Sequence, residues 1–178
     1  MKGTKMKLQL QILPHQTNAV NTVNEVFHDV LFNYGNINSN PTFNSNDVKI
    51  KDNIQKIQNG EFLPGTVISK LDRKAEMDDI LGIDVKMETG TGKTYAYTRV
   101  MYELHKNYGF NKFIILVPTT PIKEGTKKFI ESDYAREHFA DLYPNIDLQL
   151  EVLDPMRANR GKKKCFLQQF LTFLGELV

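Results

Sequence analysis

Met87-Glu88-Thr89-Gly90-Thr91-Gly92-Lys93-Thr94 stands near the middle of this 178-residue chain, and its residue types suit the grip of a phosphate. An anion of that kind is held by several backbone N–H groups that converge on it, which requires a backbone free of bulky side chains. Gly90 and Gly92 tolerate the tight, partly left-handed path of such a loop. Lys93 adds a cation that reaches the β- and γ-phosphates of a nucleotide, and the Thr94 hydroxyl is the expected Mg2+ ligand. Glu88, Thr89 and Thr91 complete the loop. A helix starting at Thr94 aims its positive end at the same anion. Met87 stands where the strict phosphate-loop pattern has glycine, but T-G-T-G-K-T remains dense.

The flanks favour a phosphate loop over a Gly/Thr-rich surface turn. Ile83-Asp84-Val85-Lys86-Met87 alternates apolar and polar residues, the pattern of a short strand running into the loop. From Thr94 to Tyr108 there is no Gly or Pro; Ala96, Val100 and Leu104 step by four, and Gly109 stands where a helix stops. Phe113-Ile114-Ile115-Leu116-Val117-Pro118 is a continuous apolar run that suits a strand buried on both faces of a parallel sheet. Strand, loop, helix and strand make a βαβ unit. The expected fold class is therefore α/β: a partial RecA-like phosphate-loop domain with a mostly parallel sheet flanked by helices, the loop at the C-terminal end of its strand.

Outward from this unit, Leu8, Leu10 and Ile12 alternate with polar residues, and Leu13-Pro14-His15-Gln16 opens a helix through about Phe32. Asn33 to Asn46 shifts to Asn, Ser, Gly and Pro, a flexible loop or an insertion. Val48 to Ile57 suits a short helix ending at Gly60, and Phe62 to Ile80 a poorly patterned connection. Thr120–Phe139 reads as helical, punctuated by Gly125, and Ile146 to Val152 as an alternating strand. The net charge of +2 makes any nucleic-acid surface a local one, and a single cysteine, Cys165, excludes an internal disulfide framework or a cysteine-based zinc site. No signal-peptide core and no run of membrane-spanning length is present in the sequence, so a cytoplasmic protein without membrane partners is expected.

Three blocks carry a resemblance: M-E-T-G-T-G-K-T-Y, E-L-H-K-x-Y-G-F-x-K-F-I-I-x-V-P beginning at Glu103, and I-K-E-G from Ile122. With the glutamine helix before them, they resemble the N-terminal part of the restriction (Res) subunit of type III restriction–modification enzymes, a superfamily 2 helicase-like ATPase family. The resemblance runs from about Lys7 to Lys164 and is densest across Asp84–Gly125. It implies ATP and Mg2+ as cofactors, DNA as a partner, and a methyltransferase (modification) subunit that reads the recognition site. The family activity is ATP-dependent translocation and cleavage of DNA. Gln16 matches the adenine-reading glutamine, whose amide donates to N7 and accepts from N6. Gly90, Thr91, Gly92, Lys93 and Thr94 match the phosphate-binding segment, with Lys93 in the catalytic role. Val117, Pro118, Thr119 and Thr120 match a segment that touches the nucleic-acid backbone, a contact that Lys123, Lys127 and Lys128 could extend.

Hydrolysis in such proteins also needs a carboxylate pair after a later strand, and no Asp-Glu pair follows an apolar strand here. Asp78-Asp79 precedes the loop, and Asp154 is a lone acid before Pro155. Residues 1–164 thus read as the N-terminal part of a helicase-like ATP-binding domain lacking its carboxylate motif, its second RecA-like domain and its nuclease segment. Residues 165–178 read as an atypical tail: a family-like stretch Met-Phe-Pro-Ser-Ala-Ile-Ser-Asn-Phe, translated one base later, can give Cys-Phe-Leu-Gln-Gln-Phe-Leu-Thr, the sequence from Cys165 to Thr172. A frameshifted chain with little or no turnover is the expectation. The alternatives are a non-catalytic nucleotide- or DNA-binding remnant, and a standalone phosphate-loop NTPase or kinase.

Overall fold

The computed structural model describes residues 10–36, 39–62 and 81–152. Five helices run through them: α1 (Pro14–Val26), α2 (Val48–Gln58), α3 (Lys93–Tyr108), α4 (Thr120–Ile130) and α5 (Asp133–Leu142). Their ends follow local chemistry. Pro14 opens α1, where its missing N–H costs nothing. Asp47 caps α2 by accepting from Lys49 N at 2.8 Å. Gly109, at φ 72°, ends α3 in the left-handed conformation that a glycine C-cap supplies. α1 stops at Val26, short of Phe32, and the chain turns through Asp29 at φ 57°. The expected helix over 120–139 divides, not at Gly125 but at Ser132, whose hydroxyl accepts from Ala135 N and caps α5.

The expected parallel sheet is absent among the described residues, and the α/β reading is corrected to a helical one. The sole β pairing described is an isolated antiparallel bridge between Asn33 and Thr42. Ile83–Met87 and Phe113–Pro118 carry no ladder and no regular secondary structure, with a bend at Pro118, so no βαβ unit forms; Leu10–Ile12 and Ile146–Val152 likewise lack a ladder, while Leu8 lies outside the described residues. The alternation was real but insufficient. From Phe113 to Pro118 burial alternates residue by residue, yet Ile114 and Leu116 are 59% and 73% exposed, so one face is covered and the other open. A strand is stable only when a neighbour takes its N–H and C=O groups, and a period of two specifies the face but not the neighbour.

Residues 10–146 belong to one compact unit, whose architecture centres on α3. Tyr95 and Tyr102 lie about two turns apart and share one helix face, while Leu104 and Tyr108 fall on the opposite one. The first face stacks on α5: Tyr102 lies 4.8 Å from the Phe139 ring and 5.0 Å from the Tyr143 ring, nearly parallel to both. The second meets a core of Val26, Phe27, Val30, Ile50 and Ile57, against which Leu81 and Ile83 also pack. This core anchors the chain just before the phosphate loop. Phe43 joins it, and Asn40 brackets the far end of α3: its amide donates to Lys112 O and its carbonyl accepts from Asn111 N and Lys112 N, each at 2.8 Å. In the second unit the described residues, Asp147 to Val152, form no helix or ladder, with Leu148, Leu150 and Val152 half-buried and the polar residues between them exposed.

Candidate nucleotide-binding site

Two glycines shape the loop before α3. Gly90 and Gly92 take φ values of 83° and 85°, so both peptides follow a path that L side chains resist. Inside the loop the Glu88 carbonyl is a hub: it accepts from the Thr91 hydroxyl at 2.7 Å and from Lys93 Nζ at 2.7 Å. Lys93 is otherwise exposed and sits at the first position of α3, with its side chain folded back over the loop. Glu88, Thr89 and Gly90 are exposed as well, and Thr94 lies half-buried in the first turn of α3. The N-terminus of α3 carries no side-chain cap, which leaves its first N–H groups free for an anion.

Gln16 is brought to this loop across 75 residues of sequence. Its Nε2 donates to Thr91 O at 3.0 Å, and the side chain is buried. The approach depends on Gly92: a Cβ there would collide with Gln16 Nε2, whereas a Cβ on Gly90 would meet open space. Gln16 Oε1 is buried with no hydrogen-bond partner. An orphaned acceptor of this kind costs about 1–3 kcal/mol, so the site holds an unmet demand for a donor. The second N–H of the same amide stays uncommitted by the Thr91 bond. One amide can therefore brace the loop and still offer a donor and an acceptor side by side.

Sequence reasoning missed His15 and Arg99. His15 Nε2 lies 3.0 Å from the same Thr91 carbonyl, and since that oxygen only accepts, the imidazole donates from Nε2. Two adjacent residues of α1 thus pin one carbonyl. Because a trans peptide sets its N–H opposite its C=O, this turns the Gly92 N–H away from α1. Arg99 donates from Nη1 to the Thr17 hydroxyl at 3.0 Å and from Nε to the Tyr143 hydroxyl at 3.1 Å. Tyr143 passes its own proton toward Glu103 Oε1 at 2.7 Å. Burial opposes the Arg99 charge, but Tyr143, Tyr95 and Glu103 outweigh it and hold the guanidinium protonated; burial raises the Tyr143 and Tyr95 hydroxyls. No periodicity marks either residue, so neither was visible in one sequence.

Pro118, Thr119 and Thr120 are exposed at the entry to α4, where Thr119 makes no side-chain cap. Lys123 sits in the same first turns beside Glu124, 3.7 Å from Nζ to Oε1. Among the described hydrogen bonds, the Tyr97 and Thr126 hydroxyl pair at 2.8 Å ties this helix to α3. No described hydrogen bond joins Pro118, Thr119, Thr120 or Lys123 to the phosphate loop. The acids weighed for the metal side, Asp78, Asp79 and Asp154, lie outside the described residues. No helix among the described residues is long and apolar enough to cross a membrane.

A family model described as "Type III restriction enzyme, res subunit" matches residues 9–165. The Type III restriction-modification enzyme StyLTI Res subunit of Salmonella typhimurium is 52% identical over 102 residues, covering 56% of this chain and 10% of that protein. The EcoPI Res subunit of Escherichia phage P1 is 37% identical over 163 residues, 88% of this chain and 16% of that protein. The EcoP15I Res subunit of Escherichia coli gives the same figures. The chain spans at most a sixth of the length of these relatives.

Proposed function

Because the chain belongs to the res-subunit family of type III restriction enzymes, we propose that it forms the ATP-binding N-terminal segment of such a helicase-like subunit. The observation that carries this reading is Gln16: a buried amide that braces Thr91 and keeps an unpartnered Oε1 beside the loop. That oxygen accepts the N6 amino group of adenine while the remaining amide N–H donates to N7, the same edge an amide reads in nucleic acids. The loop amides of Gly90 to Thr94 and the first turn of α3 hold the phosphates. Lys93 moves from Glu88 O to the β/γ position. Mg2+ fits the Thr94 hydroxyl together with phosphate oxygens, a hard cation on oxygen ligands, and when bound it would neutralise developing phosphate charge. Thr119, Thr120, Pro118 and Lys123 are proposed to meet a nucleic-acid backbone.

DNA and a methyltransferase subunit are the proposed partners of the longer family architecture, and ATP-dependent DNA cleavage its proposed activity. For the 178-residue chain itself we propose weak Mg-ATP binding and negligible hydrolysis, with no cleavage of DNA even when a methyltransferase subunit is supplied. An ATPase assay with and without duplex DNA tests this. DNA-stimulated turnover by the purified chain, abolished by Lys93→Ala, overturns the view that it binds without turning over. Absence of any ATP binding overturns the nucleotide reading itself.

A further inference from the structure

We propose that Arg99 is a positioning residue for purine selection, acting through Thr17 on Gln16; the inference rests on the reading of Gln16 given above. α1 and α3 run parallel and meet at successive levels. Gln16 touches Thr91, Thr17 accepts from Arg99, and Asn24 is held by Asn107 Nδ2 at 3.2 Å and by the Tyr108 hydroxyl at 2.8 Å. The polar pairs below the loop act as pegs. An apolar seam alone lets one helix slide or roll on the other, since dispersion contacts have no direction, whereas a hydrogen bond weakens steeply once its angle is lost. A slide of one residue moves the side chain about 1.5 Å along the axis, enough to break the contact between Gln16 and Thr91.

Arg99 is the peg nearest the site. Its side chain is 12% exposed, and it also meets Tyr143, which donates to Glu103, Glu103 itself at 4.0 Å, and Tyr95. The guanidinium is thus fixed in place from the α5 side before it reaches Thr17. No described hydrogen bond joins Arg99 to the loop, so its influence on a nucleotide runs through α1. Thr17 is the residue after Gln16. Losing the Arg99 bond frees the first turn of α1, and the orphaned Gln16 Oε1 no longer faces a fixed point. The phosphates, held by loop amides and Lys93, are touched far less. The signature is therefore a change in purine preference, not a uniform loss of affinity.

The test is titration of the full chain with Mg-ATP and Mg-GTP, together with thermal melts, for Thr17→Val, Arg99→Lys, Thr17→Ser and Gln16→Ala. Thr17→Val keeps the shape and deletes the acceptor. It should lower the ATP-over-GTP preference by roughly three- to tenfold, the effect of one charge-assisted hydrogen bond partly transmitted. Thr17→Ser, which restores a hydroxyl, should return the preference, and Thr17→Val in a Gln16→Ala background should change it no further. Arg99→Lys, unable to span Tyr143 and Thr17 together, should match Thr17→Val and serves if the latter does not fold. Lower melting temperatures with an unaltered preference in Thr17→Val and Arg99→Lys, beside a reduced one in Gln16→Ala, overturn the positioning role alone. An unaltered preference in Gln16→Ala overturns the adenine reading and this inference with it.

Discussion

Gly90 and Gly92 share a backbone conformation but not a neighbourhood, and substitution separates the two contributions. Alanine at Gly90 meets open space and should cost only the left-handed strain, about 1–2 kcal/mol. At Gly92 the same strain is joined by the collision with Gln16 Nε2, so Gly92→Ala should destabilise more and weaken nucleotide binding further. Removing Gln16 in that background should recover part of the loss. Urea melts and Mg-ATP titrations of the three variants read this directly. Tyr108 offers a second residue-scale test. Burial first, then the negative charges of Glu25 and Asp29, push its hydroxyl up to about 12. The folded chain binds this proton more tightly than the unfolded chain, so the stabilisation is whole below the ordinary value of about 10 and is lost as pH rises toward about 12. Stability measured by urea melts should fall across that window, and Tyr108→Phe should flatten the fall in part, Tyr95 and Tyr143 contributing the rest in the same direction.

Among the elements, helices were legible and strands were not, for a reason that is physical. A helix satisfies its own backbone groups, so Pro14, Gly109 and the apolar steps of Ala96, Val100 and Leu104 suffice to place α1 and α3. The break before α5 comes at Ser132-Asp133, a good N-cap pair, while Gly125, a poor helix former, sits inside α4 without ending it. Phe113–Pro118 carries the composition of a strand, but its ladder depends on residues the pattern does not name. What borders it instead is Asn40, whose side chain imitates a neighbouring backbone for Asn111 and Lys112. Asn40→Asp keeps the acceptor for two N–H groups, while Asn40→Ala loses all three bonds. Hydrogen exchange over 111–118 should quicken more in the alanine variant than in the aspartate one. α5 gives the acid side: burial, then the nearby Arg99 charge, lower the His138 imidazole, which bonds the Tyr95 hydroxyl at 2.9 Å. Its contribution is present above the ordinary histidine value and lost as pH falls through the lowered one, so His138→Gln should show a shallower decline in stability below about pH 6.5.

For the whole molecule, the candidate site was more legible than the fold around it. Six residues of loop were read from the chemistry that phosphate demands and Gln16 from the family resemblance, and the structure brings the glutamine onto the loop. The arrangement that holds them could not be read. Open apolar positions at Ile114 and Leu116 on an unladdered segment are a hazard for edge-to-edge pairing between copies. Ile114→Lys with Leu116→Lys should leave the melting temperature nearly unchanged and reduce concentration-dependent association, measured by light scattering. The parallel course of α1 and α3 carries a different consequence. Two helices that run the same way place like partial charges side by side at their ends, an arrangement that is mildly repulsive there. Both positive ends lie at the phosphate loop, so an anion there acts as the counter-ion of the pair and relieves a tension built into the packing. Pyrophosphate, with no base to read, should then raise the melting temperature of the wild-type chain and of Gln16→Ala alike, and do little for Lys93→Ala.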